Sequence, residues 1–261
     1  DILRDGPIGP DGTLEGNLYL KGAGDPALGA RYARWNGGVP PMQSIAELVY
    51  AAGVRRVRGS IIGDASAFES RRVPEGWRTR YLQAGYAARV SALSVNENIA
   101  NIVVRSTASG ATVSFDEPLI EIPIHPTVEV RPGSRGARIR VWQDTTQDRF
   151  RVTGWIGALS PERTYRVVVE QPERFAAAAF RAALQKQGIV VDGGADAATA
   201  PDAAERLTAW ASPPLAQLVV TMNGESNNHF AELLFRNAAR SVRGVGSAEA
   251  ANEVLRNFLW E

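Results

Sequence analysis

The spacing of apolar residues predicts two helices that each end at a glycine and lead into a strand. The first is expected to begin at the Ser-Ile-Ala-Glu capping box of residues 44–47, where Ser and Glu side chains satisfy backbone N–H groups. It should end at Gly53, before a strand over residues 54–62. The second helix is the Ala-rich segment 172–187, which another glycine ends before a second strand. These two units favour an α/β layer.

The middle of the chain follows a different pattern. From about residue 98 to residue 170, β-branched and polar residues alternate, and Gly or Pro interrupts them about every ten residues. This pattern predicts an all-β insert with strands near residues 102–104, 112–115, 127–130, 138–141, 150–153 and 165–169. Because the α/β pattern stops before this insert and resumes after it, we expect one domain nested inside another.

The last part of the chain is predicted to be helical. Apolar residues fall at helical spacing in segments 214–221, 228–242 and 247–259. Such apolar stripes need a packing partner, and no remaining segment obviously supplies a sheet for them. We therefore expect exposed apolar faces from Pro214 onward.

An early strand is predicted within residues 13–28, ending at the Gly-Ala-Gly-Asp-Pro sequence of residues 22–26. The glycine pair invites comparison with a phosphate-binding loop. No third glycine follows at the required spacing, and Pro26 occupies the place where the phosphate-binding helix would begin. A tight turn that ends the strand is the better interpretation.

Composition excludes several classes of function. The net charge is +1 and no basic run with interleaved aromatic residues occurs, which argues against a nucleic-acid partner. No apolar stretch reaches the roughly 18 residues that a membrane span requires. The two histidines, His125 and His229, have no acidic cluster at ligand spacing, so we expect neither a metal nor another cofactor.

The absence of Cys leaves the compartment open. Because the chain begins at Asp1 rather than Met, we expect that an upstream segment has been removed or omitted.

One polar turn carries candidate chemistry. Ser226 and Asn228 place a hydroxyl and a carboxamide two positions apart, at the start of an apolar helix. Such a pair can share a proton and bind a peptide amide. The alternative is that Ser226 and Asn227 only cap the helix.

The usual chemical partners of such a turn are missing from the sequence. Neither Lys21 nor Lys186 follows a Ser by three residues, so there is no Ser-x-x-Lys motif. A Lys-Thr-Gly strand and a Gly-x-Ser-x-Gly elbow are also absent. Ser226 therefore has no base in this sequence, and we expect the chain alone to be inactive.

Four segments occur in an order that resembles the serine D-Ala-D-Ala carboxypeptidase/endopeptidase family, the low-molecular-mass class C penicillin-binding proteins. They are NLYLKGAGDPAL at 17–28, GSIIGDASAF at 59–68, VSALSVNEN at 90–98 and SNN at 226–228. The resemblance implies an α+β multidomain fold, in which a transpeptidase domain of the serine β-lactamase type is interrupted by inserted domains. The α/β insert domain would comprise residues 1–97 and 171–207, the nested β-rich domain 98–170, and the helical transpeptidase fragment 208–261.

The resemblance also implies roles for individual residues. Ser226 would relay a proton between a lysine and the leaving nitrogen, and Asn228 would bind the substrate backbone. Asp1 would follow the nucleophile helix, and Glu261 would precede the Lys-Thr-Gly strand. Peptidoglycan stem peptides would be the substrates and β-lactams the inhibitors, in the periplasm or elsewhere outside the cytoplasm.

Arg80 and Tyr81 mark a departure from the family pattern. After a Gly-Trp pair, here at residues 76–77, many family members carry two acidic residues that bind the amino group of a diamino acid. With Arg80 and Tyr81 in that place, the acidic contact is lost and the resemblance implies no preference for a cationic side chain, while Tyr81 stays a candidate substrate-binding residue.

Two other functions stay open. A non-catalytic module that binds or scaffolds the cell wall would explain the absence of the nucleophile and its base. A generic α/β binding protein would have a ligand pocket that does not involve Ser226. The sequence does not indicate an oligomeric state.

Overall fold

The structure, a computed structural model of the chain, describes residues 1–117, 120–147 and 149–260. Within them lie five α-helices: α1 (Pro41–Ala51), α2 (Pro172–Lys186), α3 (Leu215–Glu225), α4 (Asn228–Arg243) and α5 (Ala248–Trp260). The strands, in chain order, are β1 (Ile2–Arg4), β2 (Thr13–Leu14), β3 (Leu18–Lys21), β4 (Arg56–Val57), β5 (Ile61–Asp64), β6 (Ile99–Thr107), β7 (Gly110–Phe115), β8 (Ile124–Arg131), β9 (Ala137–Asp144), β10 (Arg149–Gly157), β11 (Arg163–Val168), β12 (Val190–Val191), β13 (Ala195–Ala197) and β14 (Glu205–Thr208). The fold is therefore mixed α/β.

A five-stranded sheet with the order β13-β5-β3-β1-β14 forms the α/β layer. Strand β5 runs parallel to both β13 and β3, whereas β1 pairs antiparallel with β3 and β14. Helix α2 packs on β5 and β13 through a buried alanine-rich face that includes Phe175 and Phe180. Small side chains let this helix lie close to the sheet: at Gly63, a Cβ would stand 2.1 Å from the carbonyl oxygen of Glu173.

Both predicted helices of this layer are present, and one of them begins earlier than expected. Helix α2 matches its prediction to within one residue at its end. The predicted start of α1 at Ser44 is wrong, because the helix already begins at Pro41, whose fixed φ suits the first helical position. The Ser44 hydroxyl does not cap; it accepts a hydrogen bond of 2.7 Å from the Asn36 side chain.

The predicted continuous strand over residues 54–62 is also wrong. It is two short strands, β4 and β5, which belong to different sheets. The chain changes sheet at Gly59, where a Cβ would lie 2.5 Å from the carbonyl oxygen of Gly16. The early strand divides in the same way into β2 and β3, and the Gly-Ala-Gly-Asp-Pro segment follows β3 as a turn.

All six strands predicted in the middle of the chain are present as β6 to β11. They form two three-stranded sheets, β8-β10-β9 and β11-β6-β7, in which only β8 and β10 pair in parallel. Phe115 packs edge-on against Phe150 and also against Phe175 of α2, so the β-rich part shares its core with the α/β layer. The boundaries of the nested domain stay a prediction.

The C-terminal helices are half covered. The expectation of exposed apolar faces is confirmed at Val220, Phe258 and Trp260, which are 72%, 74% and 88% exposed. Their other side is covered by loops rather than by a sheet. There, Phe230 and Leu233 are fully buried against loops of the α/β layer.

In the described ranges, no helix combines the length and the apolar character needed to cross a membrane. The same residues contain no group of three or more His, Cys, Asp or Glu side chains that could hold a metal ion.

Candidate functional site

Ser226 lies between α3 and α4 in a left-handed backbone conformation, with φ 51° and ψ 46°. It ends α3, and its exposed hydroxyl makes no hydrogen bond within the part of the chain that the structure describes. A left-handed conformation is unfavourable for a residue with a Cβ, so this position would suit Gly better on stability grounds alone. Ser226 therefore presents a free hydroxyl from a strained turn.

Helix capping is performed by the neighbouring residue. The side-chain oxygen of Asn227 accepts a hydrogen bond of 3.1 Å from the backbone N–H of Phe230, which makes Asn227 the N-cap of α4. Of the two residues considered as caps, only Asn227 has this role at α4. Ser226 is not required to start that helix.

Asn228 lies on the first turn of α4 beside an aromatic cavity. Its side-chain N–H donates to the carbonyl oxygen of Tyr86 at 3.1 Å. Asn228 also lines a cavity of about 240 Å³ together with Trp77, Tyr81 and Tyr86. The structure thus brings Asn228 and Tyr81, which are far apart in sequence, to one cavity.

The cavity wall is aromatic and carries positive charge. Tyr81 is 38% exposed and packs at a tilt against Tyr86, with ring centroids 6.0 Å apart. Arg80 donates to the Tyr81 hydroxyl at 2.7 Å, and Arg78 also lines the cavity. No carboxylate lines this cavity among the residues described, so its chemistry suits a neutral or anionic group better than an ammonium group.

Ser226 has no basic group within hydrogen-bonding reach in the described residues. Of the two lysines, Lys21 at the end of β3 forms an ion pair with Asp64 at 3.4 Å, and Lys186 is the last residue of α2. His229 is buried, and neither of its ring nitrogens has a hydrogen-bond partner there. The turn can therefore relay a proton or bind an amide, but these residues supply no base that would make Ser226 a nucleophile.

Glu97 contacts this site; it lies in the family-like segment 90–98, but the sequence assigned it no role. It accepts hydrogen bonds from the side chains of Tyr32 at 2.5 Å, Arg31 at 2.9 Å and Asn227 at 3.1 Å. Arg31 also contacts Glu225 at 2.5 Å, directly before Ser226. One carboxylate of the α/β layer is thus tied to the turn.

Burial lowers the pKa of His229 to about 4, although the nearby Glu97 carboxylate acts in the opposite direction. Burial also raises the pKa of Asp25 to about 6, while its hydrogen bond from the Ala27 backbone opposes this shift. His229 is therefore neutral in the folded protein at pH 6, where an exposed imidazole is largely protonated.

We expect His229 to make the fold less stable as the pH falls. Between pH 6.5 and pH 4 the unfolded chain binds a proton that folded His229 does not, so this group lowers the free energy of unfolding by roughly 3 kcal/mol by pH 4. It contributes nothing above that window. Asp25 acts oppositely, since its folded form binds the proton more readily between pH 3.8 and about 6.

Urea unfolding of the wild type and of His229→Leu between pH 4 and pH 7 separates the two groups. As the pH falls, the free energy of unfolding of the wild type should decrease relative to that of His229→Leu. Phe230→Leu, which changes a neighbouring buried side chain that does not titrate, is the matched control and should not reproduce the change. A pH-independent difference for His229→Leu would contradict the assignment.

Among known proteins, residues 2–261 match the D-Ala-D-Ala carboxypeptidase 3 (S13) family. A D-alanyl-D-alanine carboxypeptidase from an Actinomadura species is 27% identical over 96% of this chain and 47% of its own length. D-alanyl-D-alanine carboxypeptidase DacB from Haemophilus influenzae is 24% identical over 91% of this chain and 48% of its own length. The chain thus spans about half the length of the curated relatives that it matches.

Solved structures show the same fold. The crystal structure of penicillin binding protein 4 (dacB) from Haemophilus influenzae matches with a TM-score of 0.76 and 21% identity, over 99% of this chain and 56% of that one. A second structure of that protein, complexed with a novel β-lactam, matches with a TM-score of 0.66 and 19% identity, over 99% and 54% of the two chains. Because the family match covers nearly every residue, the chain belongs to the D-Ala-D-Ala carboxypeptidase 3 (S13) family.

Proposed function

We propose that this chain is part of a longer penicillin-binding protein, hereafter the whole protein, which cleaves D-Ala-D-Ala stem peptides or cross-links of peptidoglycan. The reaction proceeds through an acyl-enzyme on a serine outside residues 1–261. The observation that carries this proposal is the turn at residues 226–228. There this chain, a member of the family, exposes the Ser226 hydroxyl and the Asn228 carboxamide. The substrate requires a location outside the cytoplasm, and β-lactams are the expected inhibitors.

Ser226 and Asn228 have separate roles in this reaction. The Ser226 hydroxyl can accept and donate a proton, so it relays one between the lysine of a Ser-x-x-Lys motif and the leaving nitrogen. The Asn228 carboxamide can donate to and accept from a peptide backbone, so it holds the substrate. Its position in the lining of the aromatic cavity supports this role.

Tyr81 contributes to substrate binding in the same cavity. The side chain of the stem peptide would lie against Tyr81 and Tyr86, which offer apolar faces. Because Arg78 and Arg80 supply positive charge there, a substrate with a neutral or anionic side-chain terminus should bind better than one with a free ammonium group.

Release of D-Ala from a synthetic stem peptide tests the proposed activity. The whole protein should release D-Ala, and the purified 261-residue chain should not, because its described residues offer Ser226 no base. Hydrolysis by the short chain alone would show that the catalytic group lies within it. An inactive whole protein would contradict the proposed reaction.

A second function, a module that binds the cell wall without catalysis, is favoured by one observation. The described residues supply no base for Ser226, which fits inserted layers that bind the wall without catalysis. Isolated peptidoglycan should then retain the 261-residue chain in a sedimentation assay. Failure to sediment would remove this alternative.

We propose that another part of the whole protein covers the exposed helix faces, and Phe258 of α5 provides a test. In the 261-residue chain its side chain is 74% exposed, so Phe258→Ala should change the free energy of unfolding by less than about 0.5 kcal/mol. In the whole protein we expect the rest of the transpeptidase domain to cover it, so the same change should cost about 3 kcal/mol. Equal effects in both proteins, measured by urea unfolding, would contradict the covering.

A further inference from the structure

The three residues before β6 form a left-handed turn. Asn96, Glu97 and Asn98 have φ values of 51°, 58° and 56°. Asn tolerates this region because its short polar side chain bonds locally, whereas Glu has no such advantage. Backbone strain of this kind persists only where its surroundings enforce it, and it often marks functional sites. The residue that needs an explanation is therefore Glu97.

The two flanking asparagines hold the turn in place. The Asn96 side-chain oxygen accepts from the backbone N–H of Ala30 at 2.9 Å. The Asn98 side chain donates to the Ser94 hydroxyl at 2.8 Å and to the carbonyl oxygen of Arg89 at 2.7 Å. Neither asparagine uses the Glu97 side chain, so the turn fixes the backbone of Glu97 and leaves its carboxylate available.

The Glu97 carboxylate divides its two oxygens between two parts of the molecule. One oxygen accepts from the Tyr32 hydroxyl and from Arg31, within the same layer. The other oxygen accepts from the side-chain N–H of Asn227, in the turn at residues 226–228. Glu97 is only 9% exposed, so these bonds form away from water and hold their partners more firmly than exposed bonds would.

The bond to Glu97 fixes which way the Asn227 amide points. Asn227 must offer its oxygen to the backbone N–H of Phe230, and its N–H group then points to Glu97. Reversing the amide would set its N–H group against another donor and lose both bonds. Since Asn227 stands between Ser226 and Asn228, its orientation fixes the turn that carries both.

Arg31 adds a second connection to the same turn. Its guanidinium lies between Glu97, at 2.9 Å, and Glu225, at 2.5 Å. Glu225 immediately precedes Ser226, so both sides of the turn are tied to the α/β layer through the Arg31–Glu97 pair. Charged hydrogen bonds of this type are shorter and stronger than neutral ones.

We propose that Glu97 is a positioning residue for the turn at residues 226–228, acting through Asn227 and Arg31, and this rests on the proposed function of Ser226 and Asn228. The α/β layer thereby holds the turn in a conformation that points the hydroxyl and the carboxamide toward the substrate. Glu97 touches neither the substrate nor the reacting atoms. It reduces the conformational freedom of the two groups that do.

A reversed hydrogen-bonding pair tests this role in the whole protein. In Glu97→Gln, one acceptor oxygen becomes an N–H group, so the side chain can accept from Asn227 or from Tyr32 and Arg31 but not from both, and the connection between the layer and the turn is broken. In Asn227→Asp, the cap on α4 is kept, because Asp also caps well, but two carboxylates face each other. The double variant restores one hydrogen bond with opposite polarity. The glutamine amide at position 97 donates to the new carboxylate at position 227, and its oxygen still accepts from Tyr32 and Arg31.

The first readout is the rate of acylation by a fluorescent penicillin. Each single variant should acylate ~10–100-fold more slowly, and the double variant should return to within ~3-fold of the wild type. Glu173→Gln is the matched control, because Glu173 is also 9% exposed and paired with an arginine, Arg72, but lies on α2. A wild-type rate in Glu97→Gln, or a double variant no faster than the singles, would overturn the proposal.

The second readout does not depend on activity. Amide hydrogen exchange of the peptide that spans residues 222–230, in the same variants of the whole protein, should be faster in both singles and normal in the double variant. If the wild type does not react with penicillin, the proposed function fails, and the exchange data alone decide the role of Glu97. Unchanged exchange in both single variants would then rule that role out.

Discussion

Replacing Ser226 by Ala in the whole protein should slow acylation by a β-lactam about 10²–10⁴-fold, the usual contribution of a positioned proton-transfer group. The hydroxyl is exposed and free of hydrogen bonds in the described chain, so its loss removes the relay that we propose without removing a structural contact. Stopped-flow measurement with a chromogenic cephalosporin gives the rate. An Ala variant that acylates at the wild-type rate would show that Ser226 only ends α3.

Ser226→Gly separates the loss of the hydroxyl from the effect of the backbone. Both variants lack the hydroxyl and should be equally slow. Glycine accepts φ 51° without steric cost, so Ser226→Gly should be more stable than Ser226→Ala by about 1 kcal/mol, or a melting temperature higher by about 2–4 °C. Equal stability would contradict the strain that we assign to this position.

Replacing Phe230 by Ala should lower the free energy of unfolding by about 3–5 kcal/mol, as is usual for a buried aromatic residue. The Phe230 ring is fully buried and packs against Tyr32, with ring centroids 5.3 Å apart. This contact joins α4 to the α/β layer, and its loss leaves a cavity at the junction. A urea titration of the 261-residue chain measures the effect.

Phe258→Ala in the same chain is the control for this measurement, since it removes the same side chain from an exposed position. If both variants lose the same stability, the junction at Phe230 does not hold the C-terminal helices. Because the Phe230 backbone N–H bonds to Asn227, we also expect slower acylation in the whole protein when the ring is removed.

Much of the fold could be predicted because local patterns were strong. The Ala-rich segment of α2 has a proline at its start and a glycine after its end, and its predicted bounds were accurate. The six strands of residues 99–168 follow from alternation interrupted by glycine and proline. In both cases local propensity and tertiary packing favour the same structure.

The incorrect predictions arose where long-range packing decides. Ser44 has the sequence of a helix cap, yet its hydroxyl is used by Asn36, and Pro41 starts the helix. Residues 54–62 look like one strand, but Gly59 crosses close to Gly16 and divides it between two sheets. Neither contact can be inferred from neighbouring residues.

In the candidate site, too, local patterns predict some residues and long-range packing decides others. Ser226 and Asn228 stood out because a short polar turn precedes an apolar helix. Glu97 did not, since it reaches Asn227 across 130 residues of sequence. The covering of Phe230 and Leu233 by the α/β layer was missed for the same reason. That covering is a contact between α4 and distant loops of the α/β layer, which leaves no local pattern in the sequence.

The central claim is that the turn at residues 226–228 serves an acyl-enzyme whose nucleophile lies elsewhere in the whole protein. Mass spectrometry of the whole protein after reaction with penicillin tests it most directly. We expect one covalent adduct, mapped to the serine of a Ser-x-x-Lys motif outside residues 1–261, and no adduct on Ser226. The absence of any adduct, or an adduct on Ser226 itself, would contradict the claim.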